Sequence, residues 1–372
     1  MPVLDDSQLR ALAKYQYSSG LYGYIDTIMT PFWNWAVTLL PMTLAPNLVT
    51  LLALLFMSLA AVLVATKSPM LTDPLPPWVL VYSATSLFIY QTLDAIDGKQ
   101  ARRTKSSSAL GQLFDHGCDS INITLLIVCI GGCICAGDDP KMIAALFVVS
   151  VLPFYMANWE EYQTGIMRFG KLGVTEAQHI IIAMMLTSAL FGPQIWKATV
   201  FGWEWRQIWL TIATAGSGFS TVENVLHVFC QNTSQLLPSH SRSVAVAQVL
   251  QFASFVILTV LWMLSPQQAI LFKYPFLSLV TAGASFSYMI NRLIIAHVTH
   301  CDRFNSSLKV LWPLPIVTFL AWFVVSTRWF WIMFHLYTLY VVAIYFRFVY
   351  SAINEICAFL KIQPFFITPR TN

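Results

Sequence analysis

Charge is what this sequence has least of. Only 10% of its 372 residues are Asp, Glu, Lys or Arg, while 57% are hydrophobic. Ordinary soluble domains carry about 25% charged residues, so the composition excludes a water-exposed globular protein. A net charge of only +4 excludes the strongly basic footprint of a nucleic-acid binder. Metal-type cysteine spacing is also missing. The seven cysteines (118, 129, 133, 135, 230, 301 and 357) lie mostly in apolar runs, and Cys129, Cys133 and Cys135 have no histidine nearby. They read as reduced core thiols rather than a zinc site. Residues 1–20 are polar and amphipathic, unlike a cleavable signal peptide. No soluble second domain, low-complexity tract or internal repeat is visible.

What is present is a series of long apolar runs. A spanning helix needs roughly 20 apolar residues. The expected fold is therefore all-α: a polytopic integral membrane protein with about ten transmembrane helices and an N-terminal amphipathic interfacial helix. The expected spans are 47–66, 77–97, 111–136, 142–163, 175–192, 207–230, 246–265, 271–298, 309–327 and 330–358. Residues 4–20 suit a helix on the membrane surface, and 21–46 an interfacial segment. The chain reads as one membrane-embedded domain over 1–372, with interfacial residues 1–46. Basic residues orient it. With the N-terminus and the 98–110 loop in the cytosol, only Lys67, Lys141, Lys197, Arg206, Lys273 and Arg328 fall on the far side. Arg347 falls inside the last span, and the other 14 of the 21 basic residues are cytosolic. The sequons at Asn122, Asn232 and Asn305 are then buried or cytosolic, and none is expected to carry a glycan.

Charge concentrates in one place. Residues 93–120 read LDAIDGKQARRTKSSSALGQLFDHGCDS, with four aspartates inside 26 residues. Asp94 and Asp97 are three apart at the end of one span; Asp115 and Asp119 are four apart at the start of the next. Both spacings set two carboxylates on one helix face, and a short loop folds the faces together. Four carboxylates at a membrane boundary repel and lose solvation, and divalent cations relieve both problems. All-oxygen ligation favours Mg²⁺, Mn²⁺ or Ca²⁺ over zinc, and two ions on four carboxylates suit phosphoryl chemistry. Gly98, Gly111 and Gly117 leave room for a ligand or a neighbouring helix. Arg102 is placed to meet a phosphate with its planar fork. Solvated acids are the plainer alternative, but carboxylates inside a membrane mark function by default.

The pattern D-x2-D-G-x2-A-R-x8-G-x3-D-x3-D, formed by Asp94, Asp97, Gly98, Ala101, Arg102, Gly111, Asp115 and Asp119, resembles the signature of the CDP-alcohol phosphotransferase family. The longer stretch DGKQARRTKSSSALGQLFDHGCDS is similar to its eukaryotic choline/ethanolaminephosphotransferase branch. So are APNLVT (45–50), WEEYQTG (159–165), NRLIIAH (291–297) and EICAFLKI (355–362). Ala109 and Ala53 depart from that branch, which often has proline and glycine there.

The resemblance implies ten helices, a homodimer, Mg²⁺ or Mn²⁺ dependence with two ions, and an internal membrane, endoplasmic reticulum or Golgi, with the site facing the cytosol. The implied reaction moves phosphocholine or phosphoethanolamine from CDP-choline or CDP-ethanolamine to diacylglycerol, releasing CMP. Asp94, Asp97 and Asp115 are then metal ligands, and Asp119 completes the site or acts as base. Gly98, Ala101 and Gly111 shape the cytidine pocket, while Arg102 and Lys99 meet the diphosphate. Asn47 either bonds the nucleotide or caps the first span. His116 is favoured as general base, because an imidazole titrates near neutrality; Asp119 is the runner-up.

Glu160, Glu161, Glu223 and Asn224 are head-group or pocket candidates, with solvated helix ends the alternative for the two glutamates at 160 and 161. Trp159 and Tyr155 suit core or interface packing more than an ammonium. His297 reads as a helix-end basic residue. Two other activities compete: a CDP-diacylglycerol-dependent phosphatidyltransferase with another acceptor, and a cation-coupled transporter. A transporter commonly carries its polar site at midplane between paired repeats, which are not seen here.

Overall fold

A computed structural model describes residues 3–13, 23–165, 173–230, 242–299, 301, 311–323 and 326–367. The apolar runs form helices. The first five are α1 (Asp6–Leu12), α2 (Tyr24–Ala36), α3 (Pro46–Lys67), α4 (Pro77–Arg103) and α5 (Ala109–Cys133). There follow α6 (Pro140–Thr164), α7 (Val174–Phe191), α8 (Trp205–Cys230), α9 (Arg242–Met263) and α10 (Gln268–Leu271). The last three are α11 (Pro275–Val298), α12 (Pro313–Phe323) and α13 (Thr327–Leu360). A two-residue hairpin pairs Thr199–Val200 with Trp203–Glu204. Proline opens α3, α4, α6 and α11, where its missing N–H costs nothing and its φ suits the first turn. The Ser108 side chain caps α5 by accepting from the Gly111 N–H.

Eight helices among the described residues are long and apolar enough to cross a membrane: α3, α4, α5, α6, α7, α9, α11 and α13. Ten were expected. The segment 207–230 lies within the 26-residue helix α8, but its Ser, Thr, Asn, Glu and His content keeps it outside that set. Of the expected span 309–327, α12 (Pro313–Phe323) is described as an apolar helix, while 309–310 and 324–325 lie outside the described residues. Arg168, Lys171, Arg303, Lys309 and the sequons at Asn232 and Asn305 lie outside the described residues, as do 14–20 of the expected N-terminal helix.

A second difference bears on the motif. The 98–110 segment was expected as a loop, but α4 continues to Arg103 and only residues 104–108 turn the chain. Tertiary bonds hold the extra turns. The Gln100 amide donates to the Pro41 and Leu44 carbonyls at 2.9 and 3.1 Å. Arg103 reaches the Val37 carbonyl and the Gln100 side chain, so Arg103 clamps the interfacial segment to α4. The N-terminus docks at the same end. Leu4 and Leu12 enter the main core, and Glu355 near the end of α13 accepts from the Val3 and Leu4 N–H groups at 2.9 Å each.

The opposite end has its own polar staple. Arg206 is buried and donates to Asp138 at 2.6 Å, and Lys197 pairs with the same carboxylate at 2.8 Å. Burial alone would raise the Asp138 carboxyl, but these two cations hold it below the usual range.

Helix α11 is the most enclosed of the spans, 83% buried over its apolar window against 22% for α7. It lies against α5, α6 and α13. Glycine permits that contact: a Cβ at Gly283 would stand 1.9 Å from the Thr124 hydroxyl and 2.8 Å from its Cβ. Gly283→Val should therefore pry α11 from α5 and cost about 1–3 kcal/mol of stability. A thermal melt in detergent should show a lowered Tm.

Candidate active site

The site grows from the α4–α5 hairpin. Carboxylate oxygens of Asp94, Asp115 and Asp119 lie within 4.8 Å of one another. Asp97 interacts with Asp115 and Asp119, but one of its oxygens is taken by the Thr50 hydroxyl of α3, which donates at 2.5 Å. Asp119 is likewise held from outside the motif: the Tyr90 hydroxyl donates to its Oδ1 at 2.7 Å. The spacing rule that pairs Asp115 with Asp119 also puts Tyr90 one turn before Asp94 on the same face, and that signal was there to be read.

Two oxygens remain without partners. Asp94 Oδ1 and Asp115 Oδ1 are buried and accept no hydrogen bond in the protein. Orphaned carboxylate oxygens converging in a low-dielectric place carry a large desolvation penalty. A divalent cation between Asp94, Asp115 and Asp119 would satisfy both, and the oxygen-only donor set suits a hard ion. The residues present therefore fit a metal.

The glycines separate into two roles. A Cβ on Gly117 would stand 2.9 Å from the Asn291 Oδ1 of α11, so Gly117 serves helix packing. Gly98 and Gly111 stay open. A Cβ on Gly98 would meet only the Arg102 guanidinium at 3.7 Å, and one on Gly111 would meet Asn47 and Ser108 oxygens at 3.8 Å. Asn47 thus faces α5 across the mouth of the site. It does not cap α3, whose N-cap is Ala45 with no side-chain bond, because Pro46 puts Asn47 inside the first turn. Arg102 is exposed at the end of α4, and its guanidinium has no hydrogen-bond or ion-pair partner among the described residues. Ala101 is half-buried beside it. Lys99 donates to Asn34 of α2 at 2.9 Å, so it points at the interfacial segment.

His116 lies buried on α5. Its Nδ1 is 3.1 Å from Asn158 Oδ1 of α6. The Asn158 amide N–H donates to the Phe154 carbonyl at 2.8 Å, which turns the amide oxygen toward the imidazole. An acceptor there assigns the proton to Nδ1 and leaves Nε2 as the basic nitrogen.

Glu160 and Glu161 are not solvated helix-end acids; they are 1% and 4% exposed. Glu161 is within electrostatic range of His116, accepts from Gln112 at 3.2 Å and pairs with His297 at 3.4 Å. His297 is therefore a buried partner of α6 rather than an exposed helix-end base, because α11 carries it inward. Glu160 faces α8, accepting from Asn224 at 2.7 Å and pairing with His227 at 3.2 Å. Glu223 is half-exposed and outside this network. Trp159 and Tyr155 are core residues: Trp159 donates to Gln248 at 3.1 Å, and Tyr155 stacks on Phe252 at 3.8 Å. Thr50, Asn158, Gln112 and His297 reach the site from 42 or more residues away or from within the motif's other face, and none carries a local signature.

A half-buried carboxylate nest at a helix end, beside an imidazole and an open glycine-lined mouth, defines a membrane-embedded enzyme that handles phosphate esters through divalent ions. The comparisons make this specific. The family model described as CDP-alcohol phosphatidyltransferase matches residues 43–218. A CDP-alcohol phosphatidyltransferase class-I family protein 3 from Dictyostelium discoideum is 32% identical over 99% of both chains. Cholinephosphotransferase 1 of Homo sapiens is 31% identical, covering 83% of this chain and 77% of its own. That of Gallus gallus is 44% identical over 53% of this chain and 59% of its own. The chain belongs to the CDP-alcohol phosphatidyltransferase family.

Tyr90→Phe keeps the ring and removes the bond to Asp119. Loss of an outer hydrogen bond to a metal-binding group lowers affinity by about 10–100-fold. Mn²⁺ titration followed by electron paramagnetic resonance should show weaker binding in this variant with the fold intact.

Proposed function

We propose that this protein transfers phosphocholine, phosphoethanolamine or both from the CDP-alcohol to diacylglycerol, giving the phospholipid and CMP. The observation that carries the reading is the set of half-buried carboxylates Asp94, Asp115 and Asp119 with two buried, orphaned oxygens. The similarity to cholinephosphotransferases over most of the chain supports the choline donor. Asp94, Asp97, Asp115 and Asp119 would hold Mg²⁺ or Mn²⁺, two ions in all. When bound, these ions would neutralise the charge on the diphosphate.

The protein's own groups do the rest. The open face at Gly98, Ala101 and Gly111 admits the cytidine, with Asn47 at its edge. Arg102 meets the diphosphate as it enters from water. His116 Nε2 takes the proton from the diacylglycerol hydroxyl as its oxygen bonds to the phosphorus carrying the head group. The bond from that phosphorus to the bridging oxygen breaks, and CMP leaves. Asn158 keeps the imidazole in the tautomer this needs. The whole chain acts as one catalytic domain, because α11 brings His297 and Asn291 to the site and α13 ties down the N-terminus. The protein works as a homodimer in the endoplasmic reticulum membrane, its site facing the cytosol, where the soluble donor arrives while diacylglycerol enters from the bilayer. The excess of basic residues on that side supports this orientation.

The test supplies purified protein with diacylglycerol, Mg²⁺ and equal CDP-choline and CDP-ethanolamine, and resolves products by mass. Phosphatidylcholine, phosphatidylethanolamine or both is the expected outcome. No product from folded, metal-loaded protein would overturn it and point to CDP-diacylglycerol as donor. Asp94→Asn and Asp115→Asn should abolish turnover. His116→Ala should lower kcat at least 100-fold and leave CDP-choline affinity nearly unchanged; a mainly binding defect would remove the base assignment.

A further inference from the structure

Away from the carboxylates, at the other membrane face, two cavities adjoin and share Trp331. The first, about 570 Å³, is lined by Lys273, Thr327 and Arg328 as well as Trp331. The second, about 310 Å³, is lined by Ala65, Tyr274, Leu277 and His335 among others. Both volumes fall near the range of small-molecule sites, roughly 300–1,000 Å³. Their place follows from the helices that form them. They gather the end of α3, the start of α11 and the start of α13, whose opposite ends carry Asn47, His297 and Glu355 to the catalytic side.

The two cavities differ in chemistry: both cations line the first and neither lines the second. Arg328 and Lys273 sit at helix starts and connections, at the outer rim. His335 is seven residues along α13 from Arg328, which at about 1.5 Å per residue puts it roughly 10 Å deeper. Beside His335 the second cavity is lined by apolar and aromatic side chains, with Pro69 and Tyr274 at the helix ends next to the rim. Trp331 lies between, at the level where tryptophan marks the membrane interface. A cationic rim above an apolar slot is the shape of a head group above an acyl chain.

The charges point the same way. Basic residues are scarce on this side of the protein. Lys197 and Arg206 there are neutralised by Asp138. Lys273 and Arg328 meet no acidic side chain among the described residues, and no Asp or Glu lines either cavity. Lys273 instead lies over the Tyr274 ring, 5.6 Å from its centroid, a contact that holds its ammonium near the cleft. Two cations without an acidic partner beside an apolar cleft are complementary in charge to an anionic head group.

We propose that this cleft is a binding site for an anionic glycerophospholipid of the leaflet opposite the active site, its phosphate on Lys273 and Arg328 and an acyl chain along Tyr274, Leu277 and His335. The site is separate from the catalytic one and does not depend on which head group the enzyme transfers.

Native mass spectrometry of the detergent-purified full chain tests this, with phosphatidylglycerol, phosphatidylcholine and inorganic phosphate as added probes. Phosphatidylglycerol should bind at one tight site per chain and raise the Tm, with phosphatidylcholine and phosphate binding much more weakly. Lys273→Gln combined with Arg328→Gln should lower phosphatidylglycerol occupancy at least tenfold, while Lys273→Arg with Arg328→Lys keeps it. Monodisperse elution and helical circular dichroism check the fold; if the double variant fails there, each single Gln variant should still lose occupancy. Equal retention by folded Gln variants would overturn the proposal. So would equal binding of phosphatidylcholine, which marks ordinary boundary lipid, or equal binding of phosphate alone, which marks an ion site without a lipid.

Discussion

Everything near the catalytic end answers to one constraint: four carboxylates are held together where water is scarce. Repulsion among them and the loss of solvation both oppose this arrangement. The structure meets part of the cost with donors drawn from neighbouring elements. Thr50 on α3 satisfies Asp97, and Tyr90 on α4 satisfies Asp119. Asp94 and Asp115 each keep an unsatisfied oxygen, and their carboxylates lie with that of Asp119 within 4.8 Å, close enough for a divalent cation. The binding chemistry is thus the complement of the folding problem.

Helix α5 carries both the chemistry and the packing, on different faces. Asp115, His116 and Asp119 look toward α4 and α6, while Gly117 and Thr124 take the close approach of α11. A helix held this tightly positions its side chains to within the tolerance that catalysis requires. The same packing brings His297 and Glu161 together behind His116, so the imidazole sits among polar side chains within an apolar bundle. The far ends of α3, α11 and α13 serve another purpose, since their cationic rim and apolar slot face the opposite leaflet.

Much of this was legible from the chain itself. The spans announced themselves as apolar runs, and most helix boundaries fall within a few residues of the hydropathy limits. The four aspartates were legible because helical spacing of three and four is a local property. Reading was weaker where neighbours decide. Residues 98–103 look like loop, with a glycine and three basic residues, yet carbonyls of the interfacial segment hold them in α4. Glu160 and Glu161 look like helix-end acids, and burial against α8 and α11 makes them internal.

By itself the sequence determined the membrane class, the family signature and the oxygen-rich chemistry of the motif. Each is written in composition or in spacings shorter than one hairpin. Only the tertiary structure decided which carboxylates keep free oxygens, which nitrogen of His116 is basic and which glycines serve packing. Those outcomes depend on partners 42 residues away for Asn158, 47 for Thr50 and 136 for His297. No periodicity encodes such contacts, because they exist only once apolar faces have packed and brought distant polar groups within hydrogen-bonding distance.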